Sequence, residues 1–372
     1  MTLPEVSNAQ APSGVAAPKI EVKRDGATVQ LILNRPKALN AFDEDMRAVM
    51  AAEIPKIARN PDIYVVLLMS ASEKAFCAGG DVRALTALAK TDVKEAKKRF
   101  ADEYRLDWLL ECFSKPTVSF INGICMGSGA GLTSFNTHRI AGENYKFAMP
   151  ETAIGLFPDV GMAYPYSRMP WPVGLYLGLT GRILTQADAY WLGLATHCIP
   201  AAQFTDIQAR LADAETIDPL LDSLHRNPGE SALKADVALI TRFFAGPSLN
   251  TIVADLERAD GTTKGWAEAT LADLRARSPL SLQITDRHIR SAKALDLRAT
   301  LEQDYRIAAR CLDGHDFIEG VRAALVDKDH KPKWQHDGIE DVTAAEIDAY
   351  FAPLGADELD LPTREDMQAA RV

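Results

Sequence analysis

Two glycine-rich segments carry the first chemical signal in this chain. Ala75-Phe76-Cys77-Ala78-Gly79-Gly80-Asp81 follows an apolar run. Asn122-Gly123-Ile124-Cys125-Met126-Gly127-Ser128-Gly129-Ala130-Gly131 follows another and opens a helix pattern. Turns of this kind let backbone N–H groups approach a ligand oxygen with no side chain in the way. Two such donors converging on one oxygen stabilise charge that develops on a carbonyl. Taken singly, each segment also reads as a tight strand-to-helix turn. Neither fits the G-x-G-x-x-G dinucleotide pattern in its required context or the G-x-x-x-x-G-K phosphate loop. Two carboxyls, Glu151 and Asp159, stand in the stretch Phe147–Gly161. Carboxyls in different surroundings can divide acid and base work between them. Without further context Glu151 is a solvated side chain after Pro150, Asp159 is an N-cap, and Glu103 in Asp102-Glu103-Tyr104 is a helix-surface acid.

Other chemistries find less support. The five cysteines, Cys77, Cys112, Cys125, Cys198 and Cys311, are scattered, odd in number and never spaced C-x-x-C. That pattern points to a reducing compartment, with a cytoplasmic location expected, and away from structural disulfides or a zinc site. Cys77 and Cys125 flank the glycine turns, but a cysteine nucleophile needs a base beside it and no histidine is near either in sequence. Both read as small buried residues. The seven histidines show no metal spacing, so no metal is expected, and His138 and His197 read as ordinary capping or partly buried residues. A formal net charge of -10 and a pI near 5.3 argue against a nucleic-acid partner. An anionic ligand would need local basic groups or helix N-termini. No apolar run approaches the roughly 18 residues a membrane span requires, so no membrane partner is expected, and a homo-oligomer is left open.

The elements that must position these residues follow from hydrophobic periodicity. Met1–Pro18, rich in Ala, Pro, Ser and Asn, reads as a disordered tail rather than a secretory or transit leader. Ile20–Arg24 and Thr28–Leu33 are strand patterns around the turn dipeptide Asp25-Gly26. Asp43–Ala58 is a helix with Met46, Val49, Met50 and Ile54 on its core face. Tyr64–Ser70 is a fully apolar, β-branched buried strand. A helix over Asp92–Phe113 precedes a strand at Lys115–Ile121, the glycine turn and a helix over Met126–Asn136. Short strands follow at Arg139–Ala141 and Lys146–Ala148. After Gly161 the pattern is mostly helical to Phe351. Strands alternating with helices, then helices alone, make an α/β core with a helical C-terminal part. The boundaries drawn are a tail over 1–19, a core over 20–215, a helical region over 216–352 and a C-terminal tail over 353–372.

At this point the motifs add up. Asn34-Arg35-Pro36-Lys37-Ala38-Leu39-Asn40, Ala75–Asp81 and Asn122–Gly131 resemble, in order and spacing, the three signatures of the enoyl-CoA hydratase/isomerase (crotonase) superfamily. Phe147–Gly161 resembles the 3-hydroxyisobutyryl-CoA hydrolase signature within it. The likeness continues through Leu179-Thr180-Gly181, Ala195-Thr196-His197, Ser278–Leu282, Asp316–Arg322 and Asp327–Trp334. It weakens at Gly161-Met162-Ala163-Tyr164-Pro165, where the family has more glycine.

The resemblance implies the crotonase (ClpP-like) spiral of β-β-α units with a helical C-terminal region. It implies hydrolysis of a short 3-hydroxyacyl-CoA thioester, in valine breakdown, with coenzyme A as part of the substrate and no separate cofactor. By position, the N–H groups of Ala78 and Ser128 form the oxyanion hole, and Ser128 stands where glycine is common. Glu151 and Asp159 are the catalytic carboxyls. Glu103, Gly79, Gly127 and Lys37 bind substrate, and Arg35, Lys331 and Lys333 are further candidates for the phosphates of coenzyme A. Hydratases carry a second glutamate where this chain has Gly131, so simple hydration of a double bond is disfavoured.

Overall fold

The computed structural model describes residues 17–372, so the expected N-terminal tail, Met1–Pro18, lies almost wholly outside them. The chain begins with an antiparallel pair, β1 (Ile20–Asp25) and β2 (Thr28–Leu33). Asp25 pairs with Thr28, so the turn residues are Gly26 and Ala27, one step later than the sequence dipeptide. Gly26 has φ +51, and a Cβ there would lie 2.2 Å from the carbonyl oxygen of Ala212; only glycine fits. The helix α1 (Glu44–Ala58) is capped by Asp43, whose carboxylate accepts the Met46 N–H at 3.1 Å, and buries Met46, Met50 and Ile54.

From β3 onward the chain repeats a strand, a second short strand and a helix. These are β3 (Val65–Ser70), β4 (Ala75–Cys77) and helices α2 (Val82–Ala89) and α3 (Val93–Cys112), then β5 (Thr117–Ile121), β6 (Ile124–Met126) and α4 (Ser128–Ser134), then β7 (His138–Ala141) and β8 (Lys146–Ala148). The first strand of each unit joins a six-stranded sheet ordered β1-β2-β3-β5-β7-β9, where β9 is His197–Cys198. The second strands build a separate three-stranded sheet, β4-β6-β8. Beyond β1 every pairing within these sheets is parallel. Helices cover both faces of such a sheet, which is why β3 and β5 are apolar on both sides. Val66 and Leu68 join the main core. Val65 and Leu67 face Ile207, Leu211, Ile217, Leu220 and Leu221 of the helices Phe204–Ala212 and Ile217–Leu224. The boundary drawn at 215 falls between two helices that cover one sheet face.

The remaining helices stack against the open side of the core. The helix Leu297–Asp313 lies on α3, and Pro279–Ala292 lies on the helices Ala163–Arg168 and Val173–Thr180. The segment 353–372, drawn from sequence as a tail, is a packed strap. Leu359, Leu361 and Val372 are buried, Trp108 Nε1 donates to the Pro362 carbonyl at 2.9 Å, and Arg364 pairs with Glu111 at 2.6 Å. A few buried apolar residues in a polar stretch, Met367 among them, are enough to tie it down. No single described helix is long and apolar enough to cross a membrane.

Candidate active site

A cavity of about 250 Å³ opens where the ends of β4 and β6 meet α3 and the loop after β8. Ala78, Gly79, Glu103, Gly127, Ser128, Glu151 and Asp159 all line it. Lys37 does not: it sits exposed on the turn Pro36–Ala38. Arg35 is committed elsewhere, donating to the Ala41 carbonyl at 2.6 Å and pairing with Asp43 and Asp81 at 3.2 Å. Lys331 and Lys333 also lie off the lining.

One expected donor has to be corrected. The Ala78 N–H is spent on the Leu39 carbonyl at 3.0 Å. Gly80 bridges Phe42 in parallel fashion: the Phe42 N–H reaches the Gly79 carbonyl and the Asp81 N–H reaches the Phe42 carbonyl. That pattern turns the Gly80 N–H away from Phe42, toward the other glycine turn, and no described residue accepts it. A Cβ on Gly127 would lie 3.2 Å from Gly79 Cα and 3.9 Å from Gly80 N, so the two turns touch. Ser128 is the first residue of α4, where the helix leaves its N–H without an intrahelical partner. The free pair is Gly80 and Ser128.

The carboxyls differ in how they are held. Glu151 opens a short 3-10 turn, Glu151–Ile154, closed by Gly155 at φ +74. It is buried, and its Oε2 has no hydrogen-bond partner among the described residues. A Cβ on Gly127 would stand 3.1 Å from Glu151 Oε1, which places this carboxyl against the second glycine turn. Burial, and then the charge of Asp159, push the Glu151 carboxyl well above the usual carboxylate range. Asp159 is raised likewise, by burial first and then by the charges of Glu103 and Asp304. Its Oδ2 accepts the Tyr104 hydroxyl at 2.8 Å, a role distinct from the N-cap suggested by sequence; Met162 flanks the helix that follows. Two buried carboxyls so coupled titrate as a pair and do not both ionise readily. Glu103, far from being a surface acid, is buried and gripped by Arg47 Nη2 at 2.8 Å and by the Ser128 hydroxyl.

Sequence reading missed Arg47, Tyr104 and Asp107. A signal existed: Phe100, Glu103, Tyr104 and Asp107 fall on one helical face of α3, a face that otherwise reads as core. Asp107 is buried, its Oδ2 has no partner among the described residues, and burial raises its carboxyl well above the ordinary range. Both glycine-flanking thiols are buried and unreactive by environment, with Cys125 pushed up to about 12. His138 and His197 lie off this cavity, bonded to Asp218 and Asp222. Among the described residues no cluster of three His, Cys, Asp or Glu side chains is arranged to hold a metal ion.

A family model described as enoyl-CoA hydratase/isomerase matches residues 28–351. The chain belongs to that family. Curated relatives include the mitochondrial 3-hydroxyisobutyryl-CoA hydrolase of Xenopus tropicalis, 38% identical with 90% of this chain and 89% of that protein covered. Another is the 3-hydroxyisobutyryl-CoA hydrolase 1 of Arabidopsis thaliana, 38% identical over 91% and 93% of the two chains. Among solved structures, a carnitinyl-CoA dehydratase from Mycobacterium thermoresistibile superposes with a TM-score of 0.86 at 36% identity, covering 92% of this chain and 99% of that one. An enoyl-CoA hydratase from Rhodobacter sphaeroides gives a TM-score of 0.87 at 34% identity, covering 92% and 100%. The fold is the crotonase spiral, as the motifs led one to expect.

Within the enoyl-CoA hydratase/isomerase family the informative position is Gly131. A Cβ there would lie 2.7 Å from Asp107 Oδ1 and 2.9 Å from Val160 Cβ. The space that a side chain at 131 would need is filled from α3 and from the loop carrying Asp159. A glutamate at this position has nowhere to go.

Proposed function

We propose that the protein hydrolyses 3-hydroxyisobutyryl-CoA, or a similarly short 3-hydroxyacyl-CoA, to the free acid and coenzyme A. The observation that carries this reading is the closed space at Gly131 beside the coupled pair Glu151 and Asp159. It removes the second carboxylate of a hydratase and leaves the carboxyl arrangement of the hydrolase signature. The curated relatives named above carry the same activity in their names. In this reading the Gly80 and Ser128 N–H groups form the oxyanion hole and hold the thioester oxygen as it gains charge. Either Glu151 removes a proton from the water that attacks the carbonyl carbon, or Glu151 itself attacks and forms a mixed anhydride that water then hydrolyses to the free acid; in both cases the C–S bond breaks and the sulfur leaves with a proton. Asp159, fixed by Tyr104, receives the substrate's 3-hydroxyl and assists proton transfer. Coenzyme A enters as part of the substrate and no further cofactor is invoked. We place the reaction in valine breakdown and in a reducing, cytoplasmic setting, in keeping with five free, buried thiols.

The names of the solved relatives favour a second reading, hydration or dehydration of an acyl-CoA. A non-catalytic acyl-CoA binder is a third, and it leaves unexplained why a carboxyl is buried without a partner at a cost to stability. One assay separates them. Purified protein is given 3-hydroxyisobutyryl-CoA, 3-hydroxypropionyl-CoA and crotonyl-CoA, with free thiol and double-bond absorbance followed together. Thiol release from the hydroxylated thioesters is expected, with poor hydration of crotonyl-CoA. Rapid hydration without thiol release would replace the hydrolase by a hydratase, and neither signal would leave only a binder.

A further inference from the structure

We propose that His288 and Asp304, outside the cavity, are positioning residues that set the place of Asp159 through the backbone of the turn Pro158-Asp159-Val160-Gly161. The inference rests on the reading of Asp159 as the group that meets the substrate hydroxyl.

The turn is unusual at two successive residues. Val160 has φ +50 and Gly161 has φ +77. A β-branched residue in the left-handed region is a genuine outlier and persists only where its surroundings over-determine it. The surroundings here are specific. The Gly161 N–H donates to Asp304 Oδ2 at 2.7 Å. The other oxygen, Asp304 Oδ1, meets His288 Nε2 at 2.5 Å. Gln303 Nε2 lies 2.7 Å from His288 Nδ1 and 2.9 Å from the Ser291 hydroxyl. With Gln303 donating to Nδ1, the imidazole hydrogen sits on Nε2 and points at Asp304. Asp304 and His288 are both fully buried, and the ring of Phe157, two residues before Asp159, meets His288 edge-on at 5.4 Å. A Cβ on Gly161 would lie 2.7 Å from Leu297 Cδ1, so the backbone is pressed onto the helix that carries Asp304.

Neither Asp304 nor His288 lines the cavity, and both oxygens of Asp304 are occupied. They touch no reacting atom; apart from the charge by which Asp304 helps to raise the Asp159 carboxyl, they act on the turn. The carboxyl of Asp159 is then fixed twice, its backbone from behind by Asp304 and its Oδ2 from the side by Tyr104. Displacement of such a group by about 1 Å is enough to cost on the order of 10² in rate.

The test uses the full-length protein with 3-hydroxyisobutyryl-CoA and isobutyryl-CoA, which lacks the hydroxyl, and kcat and KM measured separately for each. Asp304→Asn and His288→Leu should lower kcat/KM on the hydroxylated thioester by about tenfold or more, and by much less on the plain one. His288→Gln, whose amide can still donate to Asp304, should stay within a few-fold of the parent. Asp159→Asn is the control and should lose the same discrimination. Where Asp159→Asn loses mainly on the hydroxylated thioester, folded Asp304→Asn and His288→Leu proteins with equal fractional losses on both thioesters, or with none, overturn the proposal. If Asp304→Asn does not fold, the contrast between His288→Gln and His288→Leu decides, since Asp304 is intact in both. If Asp159→Asn itself loses equally on both thioesters, the reading of Asp159 fails. The pair is then judged by whether His288→Leu reproduces the Asp159→Asn profile; a different profile sinks it.

Discussion

Glu103 and Glu151 face the same cavity at nearly the same depth, 8% and 6% exposed, yet they are held in opposite ways. Glu103 has a guanidinium on one oxygen and a hydroxyl on the other. Glu151 has no cation, and one of its oxygens has no partner among the described residues. A buried carboxylate with a paired cation is a fixed part of the wall. A buried carboxyl without one resists ionisation and is a stronger base and nucleophile once its proton has gone. The wall built from α1 and α3 supplies shape, while the loop after β8 supplies reactivity. Asp159 belongs to the second class despite its hydrogen bond, because Tyr104 brings no charge.

The largest effect should come from erasing that difference. Arg47→Met removes the cation and leaves Glu103 as a further uncompensated buried carboxyl. Breaking one side of a buried pair costs about 3–5 kcal/mol, which chemical denaturation would register directly. Arg47→Met combined with Glu103→Gln should recover much of the loss, since both charges are then gone. A single variant as stable as the parent would mean that the Arg47 contact, 2.8 Å in this structure, does not carry the wall.

A smaller but sharper effect concerns the reactive side. Glu151→Gln keeps the size and removes the acid, base and nucleophile together. Turnover of the hydroxylated thioester should fall by roughly 10² or more, the scale of a lost acid–base group, while the substrate still binds. Single-turnover kinetics and equilibrium binding of the unreacted thioester distinguish the two. Full turnover in Glu151→Gln would transfer the chemistry to Asp159 and undo the contrast with Glu103.

Much of this contrast was legible before the fold was known, and the illegible part has a physical pattern. Apolar runs such as Val65–Ser70 announce buried parallel strands because both faces are covered. Ala75–Cys77 and Ile124–Met126 are three residues long, too short for periodicity, so they read as turns and the second sheet was missed. The glycine turns announced N–H donors, but which donor is free depends on the contact between Ala78 and Leu39, which lie far apart in the chain. That contact moved the first donor from Ala78 to Gly80. Glu103 was reached only through resemblance, because an acid in a helix looks solvated until α1 supplies Arg47. Asp304 and His288 lie on helices far along the chain, and nothing local to Asp159 points to them.

The smallest expected effect is on stability, and its sign follows from the environment of Glu151. Burial and the neighbouring Asp159 raise this carboxyl above its ordinary value. Between the unfolded value, about 4.3, and the higher folded one, the folded protein binds a proton that the unfolded chain has released. Stability therefore falls as pH rises through that window, and what Glu151 contributes relative to a neutral side chain is greatest below it. Glutamine at 151 carries no such penalty and also relieves Asp159 of a like charge. Glu151→Gln should match the parent in melting temperature near pH 4 and exceed it increasingly as pH rises through that window. Substitutions that relieve functional strain commonly gain about 0.5–2 kcal/mol, so the gap is one of a few degrees in a protein of this size. A gap that narrows as pH rises would mean that the folded protein stabilises the Glu151 anion. In that case Glu151 would have a charge partner like that of Glu103, and the two walls of the cavity would be alike after all.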